Sequence, residues 1–308
     1  MPSTTLGWKA ARFATGLLLG WFALATGAQP PLTLPDWSEL TLELSPTLTV
    51  KAELKTTVAE QAKPKLLERP GALQPPPQSV VYHLTVETRL KWFLSSKTWM
   101  GELWLKPDLT ALQRTRLKIG PSSNYKIYRY ADRGVYRTRH QPKDSDQMLE
   151  PPQTWSIVNE AFYPFLEATK RCAFISDPYA ILLLLSRDGP ATEMVICVFN
   201  KEGVHQVSLQ RTGVQTVQAN YRLAQNSKFH RVRALVQAER ILVHPLPLPN
   251  EREGPLDAGR DSEPFEFLGM EGDIVFLRDP KTHLPLQIEG KVPGFGQAQL
   301  QLTKVKLR

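Results

Sequence analysis

Residues 38–55 alternate with a period of two. Leu40, Leu42, Leu44, Leu48, Val50, Ala52 and Leu54 all fall on even numbers, with polar residues between most of them. That period puts the apolar side chains on one face of a strand. Ser45-Pro46 interrupts it, which predicts either two short strands or one edge strand with a break. A second alternating run follows at Tyr82, Leu84, Val86 and Leu90, set against His83, Thr85, Glu87 and Arg89. Trp99, Leu103 and Leu105 share one face of the next strand. Leu117 and Ile119 precede a turn at Gly120-Pro121-Ser122-Ser123-Asn124 and a strand from Tyr125 to Tyr130. The turn Asp132-Arg133-Gly134 leads into Val135 to Arg139. Turn signals about every ten residues read as an antiparallel meander.

The period changes in the middle. Trp155, Val158, Phe162, Phe165 and Leu166 are spaced mostly three and four apart, which predicts one helical face. Pro164 should bend or shorten that helix. Asp177-Pro178 reads as an N-cap followed by proline at the first helical position. Tyr179 to Leu185 is then a buried helix ended by Gly189-Pro190; the alternative is a buried strand, and the cap chemistry favours the helix. Strands return at Glu193–Phe199, at Val204–Arg211 after the turn Asn200-Lys201-Glu202-Gly203, at Val214–Leu223 and at Arg231–Val243. A proline-rich loop covers His244 to about Pro264. The last strands are Asp273–Leu277, Leu284–Glu289 and Ala298–Leu307, with turns at Asp279–Thr282 and Gly294-Phe295-Gly296. Many alternating strands without a βαβ rhythm predict a mainly β fold. It is a curved antiparallel sheet or partly open β-barrel with one or two inserted helices.

Composition changes the picture at the N-terminus. Lys9 and Arg12 give a basic start, and Phe13 to Ala25 carries no charge. Small residues follow at Ala23-Leu24-Ala25 and Thr26-Gly27-Ala28. This is the pattern of a cleavable signal peptide over 1–28, with the mature chain beginning near Thr26 or Gln29. An uncleaved anchor is the alternative, but the stretch falls short of the ~20 residues a spanning helix needs. Residues 29–79 then form an N-terminal β segment and a linker carrying Pro64, Pro70, Pro75, Pro76 and Pro77. Residues 80–308 form the main β domain. The two cysteines, Cys172 and Cys197, are expected to pair in an oxidising compartment; two separate buried thiols are the alternative.

Two short motifs resemble a known family. Asp273-Ile274-Val275-Phe276-Leu277-Arg278-Asp279-Pro280, followed by His283-Leu284-Pro285-Leu286-Gln287-Ile288-Glu289-Gly290-Lys291, resembles the closing hairpin of the bacterial family called domain of unknown function 3108 (DUF3108). Gln287 stands where that family usually has a basic residue. Asp177 to Arg187 is similar to its central helix, with Ala180 in place of a small polar residue and Ile181 in place of the first leucine. The resemblance spans residues 80–308, and 36–80 departs from it. It implies a periplasmic or envelope location and a curved sheet like that of lipoprotein carriers. It brings no activity and no functional residues.

Charge supplies the candidate site. Arg114, Arg116, Lys118, Lys126, Arg129, Arg133, Arg137, Arg139 and Lys143 face only one acid, Asp132, within thirty residues. That excess equals the formal net charge of the whole chain, +8. Tyr125, Tyr128, Tyr130 and Tyr136 interleave with Lys126, Arg129, Arg133, Arg137 and Arg139. Tyrosine faces stack on sugars or bases, and arginine forks match phosphate or carboxylate. Nucleic acid would suit this chemistry, but export argues against it. The plain alternative is a solvated β face whose cations protect sheet edges. A second candidate is the apolar face carrying Leu84, Val86, Leu286, Ile288, Leu300 and Leu302, which is core if covered and an amphiphile pocket if not.

Catalytic motifs are thin. The six histidines at 83, 140, 205, 230, 244 and 283 have no metal-ligand spacing. There is no Gly-x-Ser-x-Gly, no phosphate loop and no Gly-x-Gly-x-x-Gly. Glu271 and Asp273 flank a glycine and read as a solvated turn. The expectation is therefore a non-enzymatic periplasmic protein without metal or cofactor. Its partner is an envelope lipid, an acidic glycan or an envelope protein, and its mature chain has no transmembrane segment. A structural adaptor and an envelope hydrolase are the alternatives.

Overall fold

The computed structural model describes residues 34–308, apart from 45–46, 93–94, 121, 167–168, 170–171, 188–191, 226–227 and 247–263. The signal-peptide expectation and most of the proline-rich loop lie outside the described residues. Alternation becomes strand as expected: β1 (Trp37–Leu44), β2 (Leu48–Val58), β3 (Val80–Trp92), β4 (Ser95–Leu105), β5 (Ala111–Ile119), β6 (Asn124–Ala131) and β7 (Gly134–Gln141). Further along are β8 (Ile157–Pro164), β9 (Ile175–Ser176), β10 (Glu193–Asn200), β11 (Gly203–Gln225) and β12 (Lys228–Leu246). Then come β13 (Glu266–Phe267), β14 (Met270–Arg278), β15 (Pro285–Val292) and β16 (Gly296–Leu307). Two short helices, α1 (Ala59–Ala62) and α2 (Ala180–Leu185), complete the described elements with a few 3-10 turns.

The order across the sheet is β8-β7-β6-β5-β4-β3-β2-β1-β16-β15-β14-β12-β11-β10-β9, with β13 on β14. The first eight strands are an antiparallel meander. β1 joins them to the C-terminal β16, so strands 37–58 share one sheet with everything after residue 80. Near its far end, β11 pairs Arg222–Ala224 in parallel with Lys304–Lys306. The strands β16, β15, β14, β12 and β11 thereby close a ring, while β8 and β9 remain as edges. The result is a curved, mainly antiparallel sheet rolled into a partly open barrel.

The inner face is the even-numbered face of β1–β3, as the alternation requires. Leu40, Leu42, Val50, Ala52, Leu54, Leu84 and Val86 are all buried. Leu286, Ile288, Leu300 and Leu302 are buried with them in the same cluster, so the second candidate face is core. Helix α2 fills the interior, with Ile181, Leu182, Leu183 and Leu185 buried. Each such side chain contributes about 1.5–3 kcal/mol on leaving water.

A six-residue helix is not stable alone, and buried ion pairs hold α2 at both ends. Ahead of it, Asp177 Oδ1 accepts the Tyr179 N–H at 3.0 Å in the turn before the helix, which begins at Ala180, later than expected, with Tyr179 at its cap position and no side-chain cap bond. Asp177 Oδ2 accepts Arg114 Nη1 at 3.0 Å and the Tyr130 hydroxyl at 3.2 Å. Burial opposes the Arg114 charge, but the Asp177 carboxylate and the oxygens of Tyr179, Tyr128 and Tyr130 together outweigh it and hold the guanidinium protonated. Beyond the helix, Arg278 donates to the carbonyls of Leu185, at 3.1 Å, and Arg187. Its Nε donates to Glu239 Oε2 at 3.0 Å. Gly101 on β4 has a packing reason: a Cβ there would lie 2.7 Å from the Tyr179 ring.

Two expectations are corrected. Residues 157–164 are not helical; they form edge strand β8, paired with β7 from Gly134↔Pro164 to Gln141↔Ile157. The open hydrogen-bonding edge of β7 outweighs a three-and-four spacing, and Ile157, Val158 and Phe162 stay exposed. Nor is 56–79 an exposed linker. Its first residues extend β2, and Ala59, Ala62 and Leu66 bury against Val81, Trp104 and Leu112 on the outer face. Leu73 donates to the Tyr130 carbonyl at 2.9 Å. The segment lies as a strap across the sheet, with Ala72 bridged to Ala131.

Two predictions follow from the interior. Asp177→Ala strands the Arg114 guanidinium in the core and should cost about 3–5 kcal/mol in urea unfolding; a loss within experimental error would remove the pair from its holding role. Cys172 and Cys197 form a disulfide with a Cα–Cα distance of 5.9 Å, closing a sequence separation of 25. Replacing both with alanine should cost about 3 kcal/mol, and alkylation should label neither thiol before reduction.

Candidate functional site

Register sorts the basic segment into two faces. Leu103, Arg114, Tyr128, Arg137 and Ala161 are directly opposed across β4–β8. Arg114 reaches Asp177 in the core, so this row is on the inner face. Two residues along, the same face carries Gly101, Arg116, Lys126, Arg139 and Asn159. Three cations therefore stand directly opposite one another on three adjacent strands. Like charges in that arrangement destabilise a sheet. Lys118 extends the group by one more row on β5, opposite Trp99 and Asn124.

The group is incompletely neutralised. Arg116 pairs with Glu266 at 2.8 Å, and Lys201 approaches the same carboxylate at 3.7 Å. Burial raises the Glu266 pKa, but Arg116 and Lys201 overcome it and hold the carboxyl below its usual range. Arg137 donates to Glu202 at 2.9 Å and to Asn159 at 2.9 Å, and lies over the Tyr163 ring. The Tyr163 hydroxyl donates to the same Glu202 oxygen at 3.0 Å. Lys118 Nζ donates to the Ser122 hydroxyl at 2.6 Å and has no ion pair among the described residues. Lys126 and Arg139 make no side-chain hydrogen bond among the described residues, and the Arg139 Nε is buried without a partner.

The imbalance also shifts proton affinities. Burial, then the charges of Arg116, Arg139 and Arg137, push the Lys126 pKa down to about 8. Lys118 is lowered by burial and by Lys97, Arg116 and Arg139. A lysine whose folded pKa lies below its ordinary value binds fewer protons folded than unfolded. Its charge thus costs stability at neutral pH, and that cost is relieved as pH rises through about 8. A bound anion would remove the same cost.

The nine residues expected to bind fall into four environments. Lys126, Arg137 and Arg139 stand together at the inner site. Tyr128 and Tyr130 share that face but are buried in the core, where both rings pack against Phe199. Tyr125, Arg129 and Tyr136 point to the outer face, and Arg133 lies in the exposed β6–β7 turn. Arg129 corrects the expectation of an exposed fork most sharply. It is fully buried and donates to the carbonyls of Leu67, at 2.8 Å, and of Leu73, Leu112 and Tyr130. It clamps the 56–79 strap to the sheet, and its burial keeps the guanidinium from a ligand. The tyrosines accordingly form no stacking face. The aromatic rings beside the inner cations are Tyr163 and Trp99.

Sequence reasoning missed Arg116 and Lys118 as site members, and Lys201, Glu202 and Glu266 altogether. The first two lay in the counted charge run, and the register of β5 against β6 would have found them. Glu266 reaches the site from 150 residues away, and nothing local marks it.

Elsewhere, a groove of about 510 Å³ lies on the outer face of β1–β3, lined by Glu39, Glu43, Glu53, Glu87, Lys51 and Lys304 among others. Its charges are mixed, and Glu39 is ion-paired to Lys304 and Lys306. No group of three or more His, Cys, Asp or Glu among the described residues is placed to hold a metal. No helix among them is long and apolar enough to cross a membrane.

No family model matches the chain, and no curated protein does. Among solved structures, the chain is similar to a β-barrel-like protein of domain of unknown function DUF1849 from Brucella abortus, at 9% identity and a TM-score of 0.43, over 90% of this chain and 100% of that one.

Proposed function

We propose that this chain is a non-enzymatic exported protein that binds an anionic component of the cell envelope, a lipid headgroup or an acidic glycan, on the inner face of β5–β7. The observation that carries this reading is the row Arg116–Lys126–Arg139, three cations directly opposed, with the Arg139 Nε buried and unpartnered. A sheet that only needed solubility would set such charges on its solvated face and apart from one another. A half-buried group of like charges recovers its desolvation and repulsion when an anion enters, because attraction is strong where water is partly excluded. The disulfide supports an oxidising compartment.

The test is a pull-down from envelope lipid extract and from an acidic glycan fraction, read by mass spectrometry. Wild-type protein should retain an anionic ligand at low salt and release much of it at high salt, since exposed attraction is screened over about 8–10 Å. The double variant Lys126→Gln/Arg139→Gln should lose that ligand and unfold at the same or slightly higher urea concentration, because a repulsion has been removed. Equal recovery by both proteins would eliminate the site. Ligand affinity should also depend on pH with a definite sign. The free Lys126 is charged below about 8, and an anion favours the charged form. Affinity should therefore hold below pH 8 and fall as pH rises above it, with Lys126→Gln flattening that dependence.

A further inference from the structure

The distal half of the β11–β12 hairpin carries a second charged surface, separate from the inner cation row. From Thr212 to Ala238 the chain holds Arg222, Lys228, Arg231 and Arg233 and no acidic residue. The register opposes Ala224 to Phe229, Arg222 to Arg231, Asn220 to Arg233 and Gln218 to Leu235, so these residues share one face of the ribbon. The other face is seated: Val217, Ala219 and Tyr221 are buried in the core cluster. Pairing of Arg222–Ala224 with Lys304–Lys306 fixes the ribbon to β16. The outward face thus stands on a braced element, with Phe229 at 69% exposure beside the tip and Leu235 at 77%.

We propose that this ribbon face docks on an anionic phospholipid bilayer. The chemistry fits that occupant on two counts. Arginines flanking an exposed ring match a surface where phosphates lie above hydrocarbon, so that the cations meet headgroups while Phe229 enters the interfacial layer. The distal ribbon itself carries no acid; Arg222 borders the groove of Glu39, Glu43, Glu53 and Glu87, so the approach to an anionic surface rests on Arg231 and Arg233. A second copy of the chain fits less well. A two-fold contact through the distal ribbon would bring Arg231 and Arg233 against their copies with no carboxylate on the ribbon there to receive them.

The experiment is co-sedimentation of the full chain with vesicles of phosphatidylcholine alone or mixed with phosphatidylglycerol, over a range of salt. Because wild type and variants carry the same N-terminal apolar segment, a difference between them belongs to the ribbon. Wild type should bind the phosphatidylglycerol vesicles preferentially, and less as salt rises. Arg231→Gln/Arg233→Gln should bind them roughly thirtyfold more weakly, about fivefold for each cation removed near the surface. Phe229→Trp keeps an aromatic ring at the tip. Its fluorescence, taken as a difference from wild type, should shift to shorter wavelength with phosphatidylglycerol vesicles. Equal affinity of the double variant and wild type would overturn the proposal, as would equal binding to phosphatidylcholine alone or an unshifted tryptophan on bound protein. A ribbon variant that instead abolishes self-association without vesicles would give the face to a second copy. Retention of anionic ligand at Lys126 and Arg139 is read separately, so failure here leaves the inner site standing.

Discussion

The fold depends on a six-residue apolar helix held in place by charges it does not itself carry. α2 plugs the rolled sheet, but so short a helix has no persistence of its own. Asp177 anchors the turn before it to Arg114 and Tyr130 on β5 and β6. Arg278 on β14, itself paired with Glu239 on β12, donates to the carbonyls of Leu185 and Arg187 at the helix's other end. These partners sit on opposite walls of the sheet. The helix therefore fixes how far the meander half and the ring-closed half curl toward one another. Buried ion pairs add little net stability compared with apolar substitutes, because desolvation offsets attraction. Their contribution here is positional: an apolar helix could slide within an apolar barrel, whereas Asp177 finds a guanidinium in only one place.

That arrangement also explains why the inner cations stand where they do. Arg114 and Arg116 are two residues apart on one strand and one face. The first meets a fully buried carboxylate brought in by α2. The second lies past the reach of the helix, where the sheet opens, and shares Glu266 with Lys201. From there outward the cations outnumber the acids, and Lys126 and Arg139 have none bonded to them. The same curvature that completes the core at Arg114 leaves a half-covered, positively charged mouth one row later. A core pair and a candidate binding site thus arise from consecutive rungs of one ladder.

Much of the fold was legible because period-two alternation is local. β1–β7, β12 and β14–β16 follow from it, whereas β10 is a continuous apolar run and β11 joins two segments expected as separate strands, Val204–Arg211 and Val214–Leu223. The α2 segment was legible through Asp177-Pro178. The rest depended on distant partners. β8 carries a helical spacing, yet it became a strand because β7 offered it an unpaired edge. Residues 56–79 read as a linker from their prolines alone, because the Arg129 donors that hold the strap cannot be seen from it. The charge excess was visible, but its meaning required the register of β5, β6 and β7.

Arg129 and Arg139 show how completely that register decides chemistry. Both are arginines in one basic hairpin, ten residues apart, and sequence gave them the same role. Arg129 has odd parity on β6 and faces outward, where the strap covers it and four carbonyls engage its guanidinium. Arg139 has odd parity on β7, whose odd positions face inward because Tyr128 opposes Arg137. A hairpin reverses the parity of a face whenever the summed numbers of opposed residues are odd, as they are here. Composition counts the two as equal charges. The turn at Asp132-Arg133 makes one a structural clamp and leaves the other a half-buried donor without a partner. A basic patch in a β sequence is therefore best treated as two patches until the turn between its strands has fixed which residues share a face.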